Sequence, residues 1–387
     1  MLWTLDERLE ALREVAKGFA KREVAPRAAS IDRSAQYPED LFDAMRSAEL
    51  LGLPIPEEYG GSGAGMAGLV VAIEEVTRYC QSAGLMLLLS RLAAGPVLIL
   101  GSEEQRRRYA AGVASGALRG SFCLTEPDAG SDTSAMKATA ITDGRRYVLN
   151  GTKCYISGAT VADFFIVWAR VPDESGPHNI AGFIVDRDAA GVSVGRSDEK
   201  MGARGVPTAE VILDDAQIPV SARLTAPGQG FRGLMATLNS ARPGVAARGL
   251  GLTAGALEYS VGYARDRVVF GEPLIEKQNT QFVVADVVTH LEAARCLVYG
   301  AARMVDEGSF GKGSAPYIAM AKRFATDLAV RASSQCLQVL GAAGYMGDHP
   351  MERYYRDAKQ LQIVEGTSEI QAIIIGRGIR DGLISLA

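Results

Sequence analysis

"RRYVLNGTKCYIS", Arg145–Ser157, is the stretch where the chain stops reading as helix. Tyr147, Val148, Thr152, Tyr155 and Ile156 are β-branched or aromatic, the types that suit a pleated, half-buried surface. Asp143-Gly144 precedes the run and Asn150-Gly151 interrupts it, and both dipeptides accept the left-handed backbone of a tight hairpin turn. The reading places a hairpin at each. Working outward, "GSFCLTEP", "KATAIT", "DFFIVWARV", "IAGFIVDRD" and "AEVILDDAQIP" have the same short, β-rich character, predicting an antiparallel β-barrel or sandwich over residues 118–225.

On both sides the period changes to that of a helix. Within residues 1–117, "LDERLEALREVAKGFAKREV", "EDLFDAMRSAELLGL", "MAGLVVAIEEVTRYC" and "SEEQRRRYAAGVASG" place apolar residues three and four apart. Ser102, followed by Glu103 and Glu104, reads as a helix N-cap with acids in the first turn. Within residues 226–387 the helical segments are longer, from "FRGLMATLNSARPGVAARGLGL" to "YIAMAKRFATDLAVRASSQCLQVL". Their broad apolar stripes predict a four-helix bundle that buries several faces and presents a subunit interface. The expected class is α+β: an N-terminal helical domain, a middle β-domain and a C-terminal helical-bundle domain.

Composition excludes several functions. The 387 residues are 48% hydrophobic and 22% charged, with mean hydropathy +0.06, enough apolar material for a large core. A net charge of -4, without a block of like charges, gives no basis for binding nucleic acid or an anionic membrane. Cys80, Cys123, Cys154, Cys296 and Cys336 are scattered and lack CxxC spacing, which argues against a disulfide framework or zinc site and suits a reducing cytoplasm. The N-terminal segment has no signal-peptide core. "AGLMLLLSRLAAGPVLILG" contains Arg91 and Pro96 and reads as a buried helix. His178, His290 and His349 are isolated, so they read as surface or packing residues, with no metal site. Gly63-Ala64-Gly65-Met66-Ala67-Gly68 meets the GxGxxG pattern without the preceding strand or following acid that its chemistry needs, and reads as a loop entering a helix.

Three stretches carry more. "CLTEPDAGSD", Cys123–Asp132, ends a β-run in a turn whose N–H groups either bond a ligand's carbonyls or simply connect two elements. In "NGTKCYISGA", Tyr155 and Ser157 project from one face of a strand, as ligand contacts or as packing. "QIVEGTSEIQ", Gln362–Gln371, sets Glu365 just before a helix capped by Thr367 or Ser368, with Ile370, Ile373 and Ile374 as the expected buried stripe. Glu365 is either a functional carboxylate or a structural one paired with a neighbour such as Lys359.

Together with "KMGARGVPTAEVILDDAQIP", "ARPGVAARGLGL", "RDRVVFGEPLIEKQNTQF" and "QVLGAAGYMGDHPMERYYRDAK", these stretches resemble the acyl-CoA dehydrogenase family over nearly the whole chain. Seven ordered motifs are far more specific than one. The resemblance implies FAD, a homotetramer or dimer, fatty-acid β-oxidation, and α,β-dehydrogenation of an acyl-CoA thioester with an electron-transfer flavoprotein as acceptor. It also implies Glu365 as the base that takes the α-proton, with the hydride passing to flavin N5. Phe122, Leu124, Thr125, Tyr155 and Ser157 resemble the flavin wall. Arg267, Phe270, Gln278, Gln338 and Gly341 resemble the set that holds a neighbouring subunit's FAD, and Thr367 and Glu369 the set near the diphosphate of their own. Ser131, Asn239 and Arg242 resemble CoA contacts.

Departures are few. Asp128 stands where a glycine is usual, tolerable if that backbone is left-handed, and Val364 stands where a tyrosine is common. Ala241 occupies the position some branches use for their base. Arg91 either faces solvent, as the commoner fate of an arginine, or recognises a polar acyl tail. A same-fold oxidase using O2 and a non-catalytic scaffold are the competing expectations.

Overall fold

The computed structural model describes residues 3–172, 174 and 179–385, and His178 lies outside them. The N-terminal helices are α1 (Glu7–Phe19), α2 (Ala28–Ser34), α3 (Glu39–Ser47), α4 (Gly65–Thr77), α5 (Gln81–Leu100), α6 (Glu103–Gln105) and α7 (Ala111–Ala114). Ser102 does cap a helix, exchanging hydrogen bonds with Gln105 in a full capping box. The glycine-rich loop enters α4, whose first N–H groups are taken by the Asp306 carboxylate, Met66 N at 2.5 Å and Ala67 N at 2.9 Å. α5 is long and apolar enough to cross a membrane, yet most of it is buried inside the protein.

The middle block forms β1 (Gly120–Cys123), β2 (Thr139–Thr142), β3 (Arg146–Ser157), β4 (Phe164–Arg170), β5 (Ile180–Asp186), β6 (Val192–Val194) and β7 (Thr208–Pro219). The sheet order is β1-β4-β2-β3-β7-β6, with β5 also on β4. It is not wholly antiparallel as expected, because β1 and β2 both run parallel to β4. The Asp143-Gly144 turn joins β2 to β3 as expected. Asn150-Gly151 does not form a hairpin. It is a bulge inside the long strand β3, where the register against β7 shifts between Leu149 and Gly151. Gly151, at φ +144°, passes so close to Ala138 that a Cβ would stand 2.7 Å from that residue's own. Asn150 is used across strands instead, bonding Asp215 N at 2.8 Å.

β4 is buried on both faces. Phe165, Val167 and Ala169 enter the core of the β-domain, while Phe164, Ile166 and Trp168 pack with Ala93, Ala94 and Val97 of α5. The sheet is thereby fixed to the helices along α5. The C-terminal part comprises α8 (Gly230–Asp266), the hairpin β8 (Val268–Val269) and β9 (Glu272–Pro273), α9 (Gln278–Asp306), α10 (Ala315–Leu340), α11 (Ala342–Tyr345), α12 (Met351–Leu361) and α13 (Ser368–Arg380). α8, α9 and α10 alternate in direction, so the end of α8, the start of α9 and the end of α10 share one end of the bundle. The isoleucine stripe expected on α13 is not buried: Gln371 and Gly378 are, while Ile373 is 45% exposed. One chain alone does not cover that face.

Candidate active site

Glu365 lies in the turn between α12 and α13, after two residues whose N–H groups still bond Gln360 O. Its backbone is left-handed, φ +53°, a conformation that costs a residue with a Cβ about 1 kcal/mol or more. Among the described residues only seven non-glycines have positive φ, and three are Glu365, Tyr155 and Phe270, all expected site residues. Strain of this kind persists only where surrounding structure imposes it.

Buried donors impose it at Glu365. Lys322 Nζ of α10 donates to Gly366 O at 2.9 Å, Gln371 Nε2 of α13 donates to the same carbonyl at 2.9 Å, and Arg242 Nε of α8 donates to Glu365 O at 3.4 Å. Lys322 and Gln371 are fully buried, and Arg242 nearly so. These donors hold carbonyls, and Glu365 makes no ion pair within 4 Å among the described residues. Its Oε2 is buried without a hydrogen-bond partner. The alternative pairing with Lys359 does not form, since Lys359 Nζ donates to Gln362 Oε1 at 2.9 Å. Burial therefore lifts the Glu365 carboxyl to about 7, against the pull of Arg248, Lys322 and Arg242. Burial also lowers Lys322 to about 8 and Arg242 to about 10. Among the described residues no acceptor takes the Glu365 backbone N–H, so an unpaired acceptor and an unpaired donor belong to one residue.

Lys322→Met removes one carbonyl donor and one nearby cation. The expected result is a fall of about 10-fold in kcat with little change in KM, because a base misplaced by a fraction of an ångström loses alignment first. The carboxyl should titrate higher still, moving the acid limb of the pH profile to higher pH; steady-state kinetics from pH 5 to 9 check both.

The residues expected to line a flavin lie close together on the β-domain. Cys154 N donates to Thr125 O at 2.9 Å and Ser121 Oγ to Ser157 O at 2.9 Å, bringing the end of β1 alongside the end of β3. Phe122, Leu124, Thr125 and Ser157 remain half-buried between fully buried neighbours. Tyr155, φ +58°, is turned out to 72% exposure. A flat aromatic ligand with a polar edge needs such a set: two rings, two hydroxyls and strand-end backbone. The segment is anchored by Lys153, whose Nζ donates to Glu126 Oε1 at 2.7 Å and Leu124 O at 3.1 Å, both side chains being buried. β1 packs on α5 through Gly120 against Ala93, and Gly158 faces Leu89. On another face of α5, Gln81 and Leu88 meet Arg248 and Gly244 of α8. The same helix thus backs both the wall and the Glu365 side.

Other expected residues lie elsewhere. Arg267, Phe270, Gln278, Gln338 and Gly341 are exposed together at one end of the bundle. Gln338 is sixteen residues along α10 from Lys322, about 24 Å at 1.5 Å per residue, so it does not share the Glu365 pocket. Phe270 is 99% exposed at the β8–β9 tip, and Gly341 holds φ +59°. Thr367 caps α13 by accepting from Ile370 N, and Glu369 is exposed beside it. Asn239 accepts from Arg242 Nη1 at 2.5 Å and donates to Phe310 O at 3.0 Å. Ser131 is exposed on the loop after β1. Asp128 is not left-handed; its carboxylate pairs at the surface with Lys137, 2.8 Å. Arg91 is half-buried rather than fully turned to solvent. Burial lowers it to about 10, and among the described residues Asp306 is its only nearby counter-charge and its Nε has no partner, because α5 is enclosed on nearly every side.

Lys322, Arg248, Gln371 and the Lys153–Glu126 pair are absent from the sequence reading. Lys322 carried a signal: it falls on the same helical stripe as Ile318, Ala325 and Ala329, where a charge is out of place.

Comparison with known proteins gives the family. The acyl-CoA dehydrogenase N-terminal domain family matches residues 6–117, the middle domain family 121–216 and the C-terminal domain family 228–380. An acyl-CoA dehydrogenase of Bacillus subtilis (strain 168) is 40% identical over 373 residues, 96% of this chain and 97% of that protein. Butyryl-CoA dehydrogenase from Megasphaera elsdenii superposes with TM-score 0.93 at 33% identity, covering 98% of this chain and 99% of that one. A chain solved in work on the electron transferring flavoprotein of Acidaminococcus fermentans reaches TM-score 0.94 at 37% identity, covering 97% and 99%. With all three domains matched in order and its fold shared end to end, the chain belongs to the acyl-CoA dehydrogenase family, a family of flavoprotein oxidoreductases.

Proposed function

We propose that the protein binds FAD and converts an acyl-CoA thioester to the trans-2-enoyl-CoA, with Glu365 as the base that removes the α-proton. The observation that carries this reading is the state of Glu365: a half-buried residue whose carboxylate has one oxygen enclosed without a partner, raised to about 7, beside its own N–H, which has no acceptor among the described residues. An α-proton is weakly acidic and needs a desolvated base whose pKa lies near the working pH. The negative charge that develops on the thioester oxygen needs a fixed donor, and the Glu365 N–H is one. Lys322, Gln371 and Arg242 hold the turn so that neither group must be repositioned during the reaction.

FAD, when bound, supplies the hydride acceptor. Phe122 and Tyr155 would flank its ring, while Thr125, Ser157 and the backbone at Leu124 would meet its polar edge. Arg267, Phe270, Gln278, Gln338 and Gly341 would serve the FAD of a second subunit, and Thr367 and Glu369 the diphosphate in their own. Arg267 suits a diphosphate because a guanidinium fork bonds two oxygens. Ser131, Asn239 and Arg242 would hold CoA. The exposed Phe270, Tyr345 and Met346, together with the bare isoleucines of α13, support a homo-oligomer such as a tetramer. Cys80, Cys123, Cys154 and Cys336 are buried free thiols, which suits the cytoplasm. An electron-transfer flavoprotein would take the electrons.

The test is anaerobic bleaching of the purified yellow protein by a panel of acyl-CoAs. Because the base acts ionised, the bleaching rate should climb with pH through about 7 and level off above 8. A flat profile from pH 5 to 9 would remove Glu365 from the role. Protein that neither carries nor accepts FAD would be a scaffold, and stoichiometric hydrogen peroxide would make it an oxidase.

A further inference from the structure

Arg248 is the buried charge that the reaction above leaves unused. It stands on α8, six residues beyond Arg242, and is 1% exposed. Its Nε donates to Gln81 Oε1 in the first turn of α5 at 2.8 Å, and its Nη2 donates to Gln360 Oε1 at the end of α12 at 2.6 Å. Both partners are neutral amides, and among the described residues no carboxylate lies within 4 Å of it. A guanidinium has five N–H donors, so two amide oxygens leave it under-matched in hydrogen bonds and in charge. The Nε2 of Gln81, itself buried, has no partner, and neither has Thr77 Oγ1, which sits with Arg248 Cγ around Gly84 of α5.

Arg242, Arg248, Lys322 and Lys200 are enclosed in one region with Glu365 and Asp357. Asp357 is occupied with Ala203 N at 2.6 Å. Asp198 and Asp327 also offset Lys200 and Lys322, whereas Arg248 among the described residues has only the more distant Glu365 and the committed Asp357. Arg248 is near enough to Glu365 for each to feel the other's charge, and it touches the very helix, α5, that backs the site. Arg248 stands six residues, about 9 Å, along α8 from Arg242, which donates to Glu365 O, so a chain held at Glu365 and extending along α8 toward α5 would meet this arginine.

We propose that Arg248 and Gln81 form the far wall of the acyl pocket and bind an oxygen acceptor at the distal end of a short acyl chain. This rests on the assignment of Glu365 as the base. A carboxylate, hydroxyl or ketone oxygen there satisfies the orphan donors. A longer alkyl tail must instead push against a charge that cannot leave.

The test uses the FAD-loaded oligomer and a five-carbon series: glutaryl-, 5-hydroxypentanoyl- and 4-oxopentanoyl-CoA against pentanoyl-CoA, with octanoyl-CoA as the long chain. At least one oxygen-ended chain should exceed pentanoyl-CoA in kcat/KM by about 10-fold or more, and which one does so identifies the acceptor. Arg248→Leu, or Arg248→Gln if the leucine variant does not fold, should lower kcat/KM for that chain about 10-fold further than for pentanoyl-CoA and raise octanoyl-CoA relative to both. Dissociation constants measured on Glu365→Gln protein, with and without the Arg248 change, should move in parallel, as a binding role requires. Octanoyl-CoA turned over best by the unmodified enzyme would overturn the proposal. So would an equal loss on every chain, which marks an arginine that only positions the Glu365 turn through Gln360. Bleaching by none of the five would instead refute the dehydrogenation reading itself.

Discussion

Glu365→Gln is expected to slow anaerobic flavin bleaching by acyl-CoA at least about 1,000-fold, the upper range for loss of a general base, while substrate still perturbs the flavin spectrum on binding. The amide keeps the shape and the backbone N–H but cannot accept the α-proton. A rate within 10-fold of the unmodified enzyme would require another base, and Ala241, at the position some relatives use, cannot be one. The same substitution has a stability signature. The carboxyl rises from 4.5 to about 7 on folding, so its ionisation disfavours the folded state. That penalty is absent below pH about 4.5, develops between 4.5 and 7, and is complete above 7, where it amounts to about 3 kcal/mol. Glu365→Gln protein should therefore gain stability over the unmodified protein as pH rises from 5 to 8, read by urea denaturation. A constant difference across that range would mean that the carboxylate is already hydrated or paired.

Lys153→Met should be the most destabilising single change near the flavin wall, by about 3–5 kcal/mol, because it strands a buried carboxylate. Glu126 is 5% exposed and Lys153 is fully buried. Burial pushes the Glu126 carboxyl up, but Lys153 and the N–H groups of Lys137 and Ala138 outweigh it and leave its pKa below the ordinary value. A carboxylate held low stabilises the fold at neutral pH and loses that contribution in acid. The loss in Lys153→Met should accordingly be greatest at pH 7 and above and shrink toward pH 4 as Glu126 protonates. Flavin content should fall with it, since Lys153 also holds Leu124 O in the middle of the wall. Glu126→Gln with Lys153→Met should recover much of the stability, which separates a stranded charge from simple loss of packing.

Other candidate residues were legible to different degrees. Tyr155 and Ser157 are two apart on one strand, so their shared face follows from the period of a strand alone. That Tyr155 would take a left-handed backbone and be turned outward did not follow, because it depends on Thr125 bonding Cys154 across β1 and β3. Asn150-Gly151 reads as a hairpin yet forms a bulge for the same kind of reason. A glycine wanted for a turn and a glycine wanted because Ala138 lies against it look alike in one dimension.

By itself the sequence determined the order α, β, α, the buried character of α5 despite Arg91, and the exceptional place of Glu365 before a capped helix. These are local matters: periodicity, capping and turn chemistry act over a few residues. Tertiary structure alone decided that Lys322, Gln371 and Arg242, each from a different helix, would hold the carbonyls at Glu365 and leave its carboxylate unpaired. The pKa that suits a base at neutral pH belongs to that arrangement. It arises from the desolvation of one group by residues up to 123 positions away, and no window along the chain contains them together.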